Sequence, residues 1–412
     1  MKKILLYHFL VLNTLLLAQY TMPSEEALHE GTWLQWPHDY TYQFGASDFE
    51  PAWIEMTEAL ITGENVHIIA YNQNEKSHIE SVLSVAGISM DNVDIYIVPN
   101  DDFWVRDNGP IFVYDQNNNL HITDWGFNGW GGDTPFELCD EVPNILAPQI
   151  SLPFIDLSAM VLEGGAIEID GTGSMMATRS SVTASDRNPG LSETEIENYM
   201  TTYLGLTNFI WLEGMFGGWE DITDQHIDGF AKFHGTNTIV TMNEEDLDYW
   251  YISADDIYTL YNATQENGDT YEYVHLPLTD NNVVTTWGQN LGYKGGYVNY
   301  YIANTVVLVP NYNDTQDGIA NAIIQELYPE KEVIGIDSRN MLANGGMVHC
   351  ITQQQPQFLS PIGIDELEKY NKEKLLKIID LLGREVSETI ENTLYFYIYE
   401  NGITEKVYRT EK

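Results

Sequence analysis

Residues 344–356 read Asn344-Gly345-Gly346-Met347-Val348-His349-Cys350-Ile351-Thr352-Gln353-Gln354-Gln355-Pro356. A lone cysteine follows a diglycine and precedes a polar run. Gly345 and Gly346 permit backbone conformations that L-residues avoid, so the chain can turn sharply and present the Cys350 thiol at the mouth of a pocket. A free thiol has a pKa of about 8.5 and reacts at neutral pH only with help from a cation, a histidine or a cationic substrate. Cys139 is the only other cysteine. In an exported chain the two could pair as a disulfide instead, and cysteine counting leaves that open.

Upstream, Asp221-Ile222-Thr223-Asp224-Gln225-His226-Ile227-Asp228-Gly229 places an imidazole and a carboxylate two residues apart. If the segment is a strand, His226 and Asp228 share a face and are poised for acid–base work. A metal site would need more His or Cys ligands at close spacing than this chain shows. Asn100-Asp101-Asp102-Phe103-Trp104-Val105-Arg106-Asp107-Asn108-Gly109-Pro110 packs acid, aromatic and arginine into one loop. It can be ordinary turn chemistry, with Arg106 paired to a neighbouring carboxylate. It can equally be a site in which Trp104 faces a planar cation and Asp107 meets its edge. Asp124-Trp125-Gly126-Phe127-Asn128 is either a packing corner or a pocket wall. Glu163 adds a further carboxylate where a loop meets a strand at Gly164-Gly165. No Lys or Arg occurs between Arg106 and Arg179. The cations that neutralise Asp107, Asp124 and Glu163 must therefore come from elsewhere in the fold or from a ligand.

Around these motifs the pattern alternates. Strands are expected at 21–38, 66–71, 93–98, 209–212 and 305–310, and helices at 49–62, 76–86, after Ser192 as N-cap, and at 317–327. This is an α/β protein. Its 412 residues, 43% hydrophobic, suffice for one large or two ordinary domains. A net charge of −44 disfavours nucleic acid and anionic membranes and would draw in a cation, though solubility alone can account for it. Residues 1–18 read as a secretory signal, and no later segment is apolar enough to span a bilayer. Past residue 361 the composition turns Glu- and Lys-rich and ends in an aromatic, strand-like run, so a catalytic region at 19–360 and a small β appendage at 361–412 are expected.

Together these motifs resemble the family of agmatine deiminases and bacterial-type peptidylarginine deiminases. The likeness runs over roughly residues 20–356 and includes Tyr301-x-x-Asn304 and Arg187-Asn188-Pro189. It implies a pentein, a five-bladed α/β propeller, although no repeat is visible in the sequence. It also implies that Cys350 attacks a guanidinium carbon to form a thiouronium intermediate. Asp107 and Asp228 would then clamp the guanidinium and His226 serve as acid and base, with Trp104, Glu163, Asp221 and Asn304 contributing to substrate binding. No metal or organic cofactor is implied. The expected partner is a small cationic guanidino compound such as agmatine, with arginine peptides the alternative. Met347 and Arg179-Ser180-Ser181 depart from the usual agmatine deiminase residues, an Asn and an acidic pair. Residues 372–412 are similar to a C-terminal sorting domain of the type IX secretion pathway. With the signal, that implies a secreted or cell-surface protein handed to secretion machinery.

Overall fold

The computed structural model describes residues 18–41, 45–216 and 221–359, and in the tail 375–380, 384, 386, 393–399 and 404–409. Residues 1–358 form one compact unit and 359–412 a second. The expected signal at 1–17 lies outside the described residues.

The larger unit is built from one motif used five times. Each time, two antiparallel strands are followed by a helical crossover to a third strand, which lies parallel to the second. Ile111–Asp115, Leu120–Gly126 and Phe154–Val161 form the first sheet, with helix Val142–Ile150 in the crossover and Tyr20–Thr21 added at its edge. Ile167–Ile169, Ser174–Thr178 and Asn208–Leu212 form the second, with helix Glu193–Leu204. Ala231–His234, Thr238–Thr241 and Glu272–His275 form the third. Tyr301–Ile302, Val306–Asn311 and Glu332–Asp337 form the fourth, crossed by helix Asp317–Leu327. The fifth joins the two ends of the unit: Gln353–Pro356 pairs antiparallel with His29–Gln35, which is followed by the parallel strands Asn65–Ala70 and Val93–Ile97. The result is a five-bladed α/β propeller of the pentein type.

The middle strands carry helix-covered parallel pairs and are apolar nearly throughout. Val306 to Val309 and Val66 to Ala70 are all buried, the pattern expected where both faces of a sheet are covered. Helix boundaries follow caps. Asn72 accepts from the amides of Asn74 and Glu75, so that helix starts at Gln73, earlier than periodicity indicates, and it stops at left-handed Gly87. Ser192 and Glu195 make a capping box.

Three expectations change. The stretch 21–38 is not one strand: Tyr20–Thr21 edges the first sheet and His29–Gln35 belongs to the fifth. The segment at His226 and Asp228 is not a strand but a single 3-10 turn, Ile227–Gly229, and the strand begins at Ala231. Asp224 and Gln225 precede it in the left-handed region, at φ 54° and 65°. No continuous strand can carry that backbone. Residues 163–166 likewise form a turn before the short strand Ile167–Ile169. In the tail, Leu375–Asp380, Thr393–Tyr399 and Thr404–Arg409 form an antiparallel sheet. Among the described residues no helix is long and apolar enough to cross a membrane.

Candidate active site

Each propeller blade begins with an entry loop that ends just before its first strand. Most of the expected site residues sit in these loops; Asn304 does not, since it follows Tyr301–Ile302. Asp107 precedes Ile111, Glu163 and Gly165 precede Ile167, and His226 and Asp228 precede Ala231, while Asn299 precedes Tyr301 and Cys350 precedes Gln353. Hydrogen bonds link the five loops in a closed ring. Gly165 N donates to Asp107 Oδ1 at 3.0 Å, and His226 Nε2 meets Glu163 Oε2 at 2.7 Å. Asn299 Nδ2 donates to the Asp228 carbonyl at 3.2 Å, and the amide of His349 donates to Asn299 Oδ1 at 3.0 Å. Arg106 Nε closes the circle on the His349 carbonyl at 3.3 Å. Arg106 and His349, which close the ring, are 243 positions apart in sequence.

Cys350 lies in the 3-10 turn His349–Ile351, and its thiol points to Asn299 Oδ1 at 3.5 Å. Two glycines shape the approach. Gly345 has φ 98°, and a Cβ on Gly346 would fall 2.3 Å from the Trp104 ring. That ring is therefore packed flush against the nucleophile loop. Both cysteines are free thiols. Cys139 is buried and accepts from the Asp101 amide at 3.2 Å.

Gly165 marks the point of convergence. A Cβ there would sit 2.8 Å from Asp107 Oδ1, 2.8 Å from His226 Nδ1 and 3.0 Å from Asp228 Oδ2. Two carboxylates and an imidazole, from two blades, thus surround one small space that only glycine leaves open. Asp107 Oδ2 also accepts from Trp130 Nε1 at 3.0 Å. Burial, with Asp228 and Glu163 nearby, pushes Asp107 up to about 6 despite the opposing pull of His226. Burial works against charge on His226, yet Asp107, Glu163 and Asp228 outweigh it and raise it to about 9. Burial would raise Asp228 too, but the hydrogen bond and charge of His349 hold it below the ordinary carboxylate range. Burial and the Asp228 and Asp107 charges push the Cys350 thiol well up. Without a cation in this space the site holds a thiol and an imidazolium, and a cation set between Asp107 and Asp228 would cancel the charges that disfavour thiolate.

The cation that sequence proximity did not offer Glu163 arrives from Arg187, whose Nε donates to Oε1 at 2.8 Å, with both side chains fully buried. Glu163, expected to bind substrate, thus has its oxygens on Arg187 and His226, and two further expected substrate residues are engaged elsewhere. Asp221 accepts from the Thr223 and Gln225 amides, at 3.0 and 3.1 Å, and so holds the turn ahead of His226. Asn304 bonds the amide and carbonyl of His29 and the carbonyl of Gly63, which ties the fourth blade to the fifth. Asn299, His349, Glu25, Lys232 and Trp130 reach the site or its supports without having been singled out, and Arg187 does so from the Arg187-Asn188-Pro189 motif, to which no role had been given. Asn299 and His349 each lie within two residues of a blade's first strand or of Cys350, and that position was the available signal.

A family model described as Porphyromonas-type peptidyl-arginine deiminase matches residues 21–356. The chain belongs to this family. Agmatine deiminase of Pseudomonas aeruginosa is 30% identical over 361 residues, which cover 82% of this chain and 95% of that one. Among solved structures, agmatine deiminase of Enterococcus faecalis superposes with a TM-score of 0.73 at 26% identity, covering 83% of this chain and 97% of that one. A Porphyromonas gingivalis structure provisionally labelled an arginine deiminase gives 0.72 at 28% identity, covering 82% and 98%. The two places read in the sequence as departures from the usual agmatine deiminase residues are engaged within the fold. The Met347 sulfur lies 2.9 Å from the Tyr312 hydroxyl, which also meets the Gly296 carbonyl at 2.7 Å. Arg179 is taken up by Glu193 at 2.6 Å and Glu213 at 2.8 Å and lies over the Trp211 ring.

Proposed function

We propose that the protein hydrolyses agmatine to N-carbamoylputrescine and ammonia. The convergence of Asp107, His226 and Asp228 on Gly165, beside a free thiol, carries this reading. A guanidinium is a planar fork of donors, and two carboxylates set on rigid loops can hold it edge-on. Its charge offsets theirs, so the Cys350 proton leaves to solvent and the thiolate attacks the guanidinium carbon. The imidazolium of His226 gives its proton to the departing nitrogen, ammonia leaves, and a thiouronium remains on sulfur. Neutral His226 then takes a proton from water, the hydroxide adds to the same carbon, and the C–S bond breaks to return Cys350 and a ureido product. Asp107 and Asp228 stabilise the cationic centre in both steps.

The substrate reading rests on the named relatives and on the state of the nearby cations. Arg106, Arg179, Arg187 and Lys232 are each committed to carboxylates of this chain. None of these is left over for a substrate carboxylate, which suits agmatine better than free arginine. Arginine within a peptide also lacks that carboxylate at its own residue and is the competing substrate. The leader at 1–18 and the tail support export to the cell surface as part of the same proposal. Ammonia release from agmatine, free arginine and an internal-arginine peptide tests the substrate. A kcat/KM tenfold or more in favour of the peptide would replace agmatine with peptidyl arginine.

A further inference from the structure

Asp228 meets a second imidazole, that of His349, the residue just before the nucleophile. His349 Nδ1 lies 2.7 Å from Asp228 Oδ2, and its Nε2 lies 2.6 Å from Glu25 Oε2. Lys232 Nζ sits 3.2 Å from Glu25 Oε2, 2.9 Å from Glu168 Oε1 and 3.1 Å from His349 Nε2. Arg106 reaches Glu25 Oε2 at 3.4 Å. All six side chains belong to residues more than nine-tenths buried.

The Lys232 ammonium has Glu25 and Glu168 as acceptors at 3.2 and 2.9 Å, so its 3.1 Å approach to His349 Nε2 is a close contact and leaves Nε2 free to donate to Glu25. An ammonium and a guanidinium only donate, and each of the two contacts between the imidazole and a carboxylate requires one hydrogen. Both hydrogens therefore lie on the line from Asp228 through His349 to Glu25. The cluster then counts three carboxylates against three cations and is neutral as a whole. Stability does not explain it, because well-packed apolar side chains commonly replace buried ion groups without loss. Its location suggests another purpose, since it ends on one of the two carboxylates that converge at Gly165. The second, Asp107, faces a single imidazole at 3.7 Å and receives its side-chain hydrogen bonds from neutral donors, Gly165 and Trp130.

We propose that His349 is a positioning residue for deimination: its imidazolium, backed by Glu25 and Lys232, holds Asp228 as an oriented carboxylate ready for the substrate cation. The same residue fixes the nucleophile, because its backbone amide is bound to Asn299 Oδ1, the acceptor of the Cys350 thiol. Asp228 thus stands preset, whereas Asp107 completes its ionisation when the cation arrives. The charged and titratable groups around this axis are Glu25, Lys232, Arg106 and Glu168 on one side, and His226, Asp107 and Cys350 on the other. The inference rests on the deiminase reading for its meaning, but not for its test.

Two readouts are followed against pH in the full-length protein: kcat/KM for agmatine, and alkylation of Cys350 by chloroacetamidine relative to the neutral reagent iodoacetamide. The alkylation ratio reports the charge of the carboxylate pair even if no guanidine is turned over. In the unaltered protein the acid limb should lose one proton's worth of activity, near the value of about 6 that Asp107 carries. His349→Gln keeps a donor toward Asp228 but removes the cation. The limb should then move up by about a unit or more and steepen toward two protons, as Asp228 joins Asp107. Glu25→Gln leaves the cation on Asp228 and removes its competitor, so its limb should stay or move down. Lys232→Met should move the limb upward by less than His349→Gln does, which keeps the test open if His349→Gln shows no cooperative melt. An unmoved limb in His349→Gln, or limbs shifted the same way in His349→Gln and Glu25→Gln, would overturn the proposal. Shifted alkylation limbs in a protein inert toward every guanidine would leave it standing and remove the deiminase reading.

Discussion

Glu163→Gln separates an electrostatic role for Glu163 from a packing role, because the two predict different pH dependence. The carboxylate lies 2.7 Å from His226 Nε2 and neither side chain is appreciably exposed. Taking the charge centres as about 4 Å apart at an effective dielectric of 20, the pair interacts by about 4 kcal/mol. At 1.36 kcal/mol per unit that is about 3 units, enough to bring His226 from about 9 to near its ordinary value of about 6.5. A His whose pKa falls loses its proton at lower pH, so the damage should grow as pH rises. At pH 8 the imidazolium fraction would drop from about 0.9 to about 0.03, roughly a 30-fold loss of general acid, whereas at pH 6 it would change by less than about twofold. At pH 8 Asp107 is ionised in parent and variant alike, whereas nearer pH 6 the loss of the Glu163 charge that helps to raise it adds activity, so the damage still grows with pH. Arg187 keeps Asp224 at 2.9 Å and the Ile222 carbonyl at 3.3 Å, so it is not stranded by the substitution. The assay is kcat/KM for ammonia release at half-unit intervals from pH 5.5 to 9, below the melting temperature of each protein. An equal loss at pH 6 and pH 8 would refute the reasoning and leave Glu163 a packing residue.

Cys350→Ala should abolish turnover with an unchanged melting profile, because the thiolate is the nucleophile, while Cys139→Ser should keep most of the activity. Equal inactivation by both, with a Cys139–Cys350 bond found by non-reducing peptide mapping, would restore the disulfide reading. Arg179→Ala should change the ratio of agmatine to peptide kcat/KM by no more than about fivefold, the factor set by the ~1 kcal/mol of a partly exposed ion pair. A larger swing would show that Arg179 leaves Glu193 and Glu213 to contact substrate. Truncation after Phe358, where the first compact unit ends, should leave the purified enzyme active and stop its export. An inactive but folded product would assign the tail to the catalytic unit.

The local pieces were legible because each obeys a short-range rule. The helix Asp317–Leu327 matches its hydrophobic spacing, Ser192 caps the helix that follows it, and Val306–Asn311 is apolar enough to be read as a buried strand. The repeat was not legible, because the five blades share a strand order and not a residue pattern. The fifth is even assembled from opposite ends of the unit, with Gln353 opposite Trp33. What repeats is a polar loop just ahead of each first strand, and it escapes detection because each loop carries different chemistry: Asp107 in one, Glu163 in the next, then His226 with Asp228, Asn299 and Cys350. The same fact explains which site residues were found. Those with reactive or charged groups in dense motifs stood out, whereas Asn299 sits among tyrosines and His349 is eclipsed by the cysteine beside it. Asn304, five residues past Asn299, was the more conspicuous asparagine, yet its amide is spent on His29 and Gly63. A backbone amide and carbonyl can be recognised as its partners only when the first and fourth hundreds of the chain are laid side by side. The gap without Lys or Arg after Arg106 left the partner of Glu163 to the rest of the fold or to a ligand, and Arg187 fills that need from beyond the gap. Asp124 is pushed up to about 7 by burial and by Asp140, Asp156 and Glu141, and Asp107 has only the His226 imidazole at 3.7 Å, so of the two it is Asp107 that opens on the space at Gly165 where a guanidinium fits.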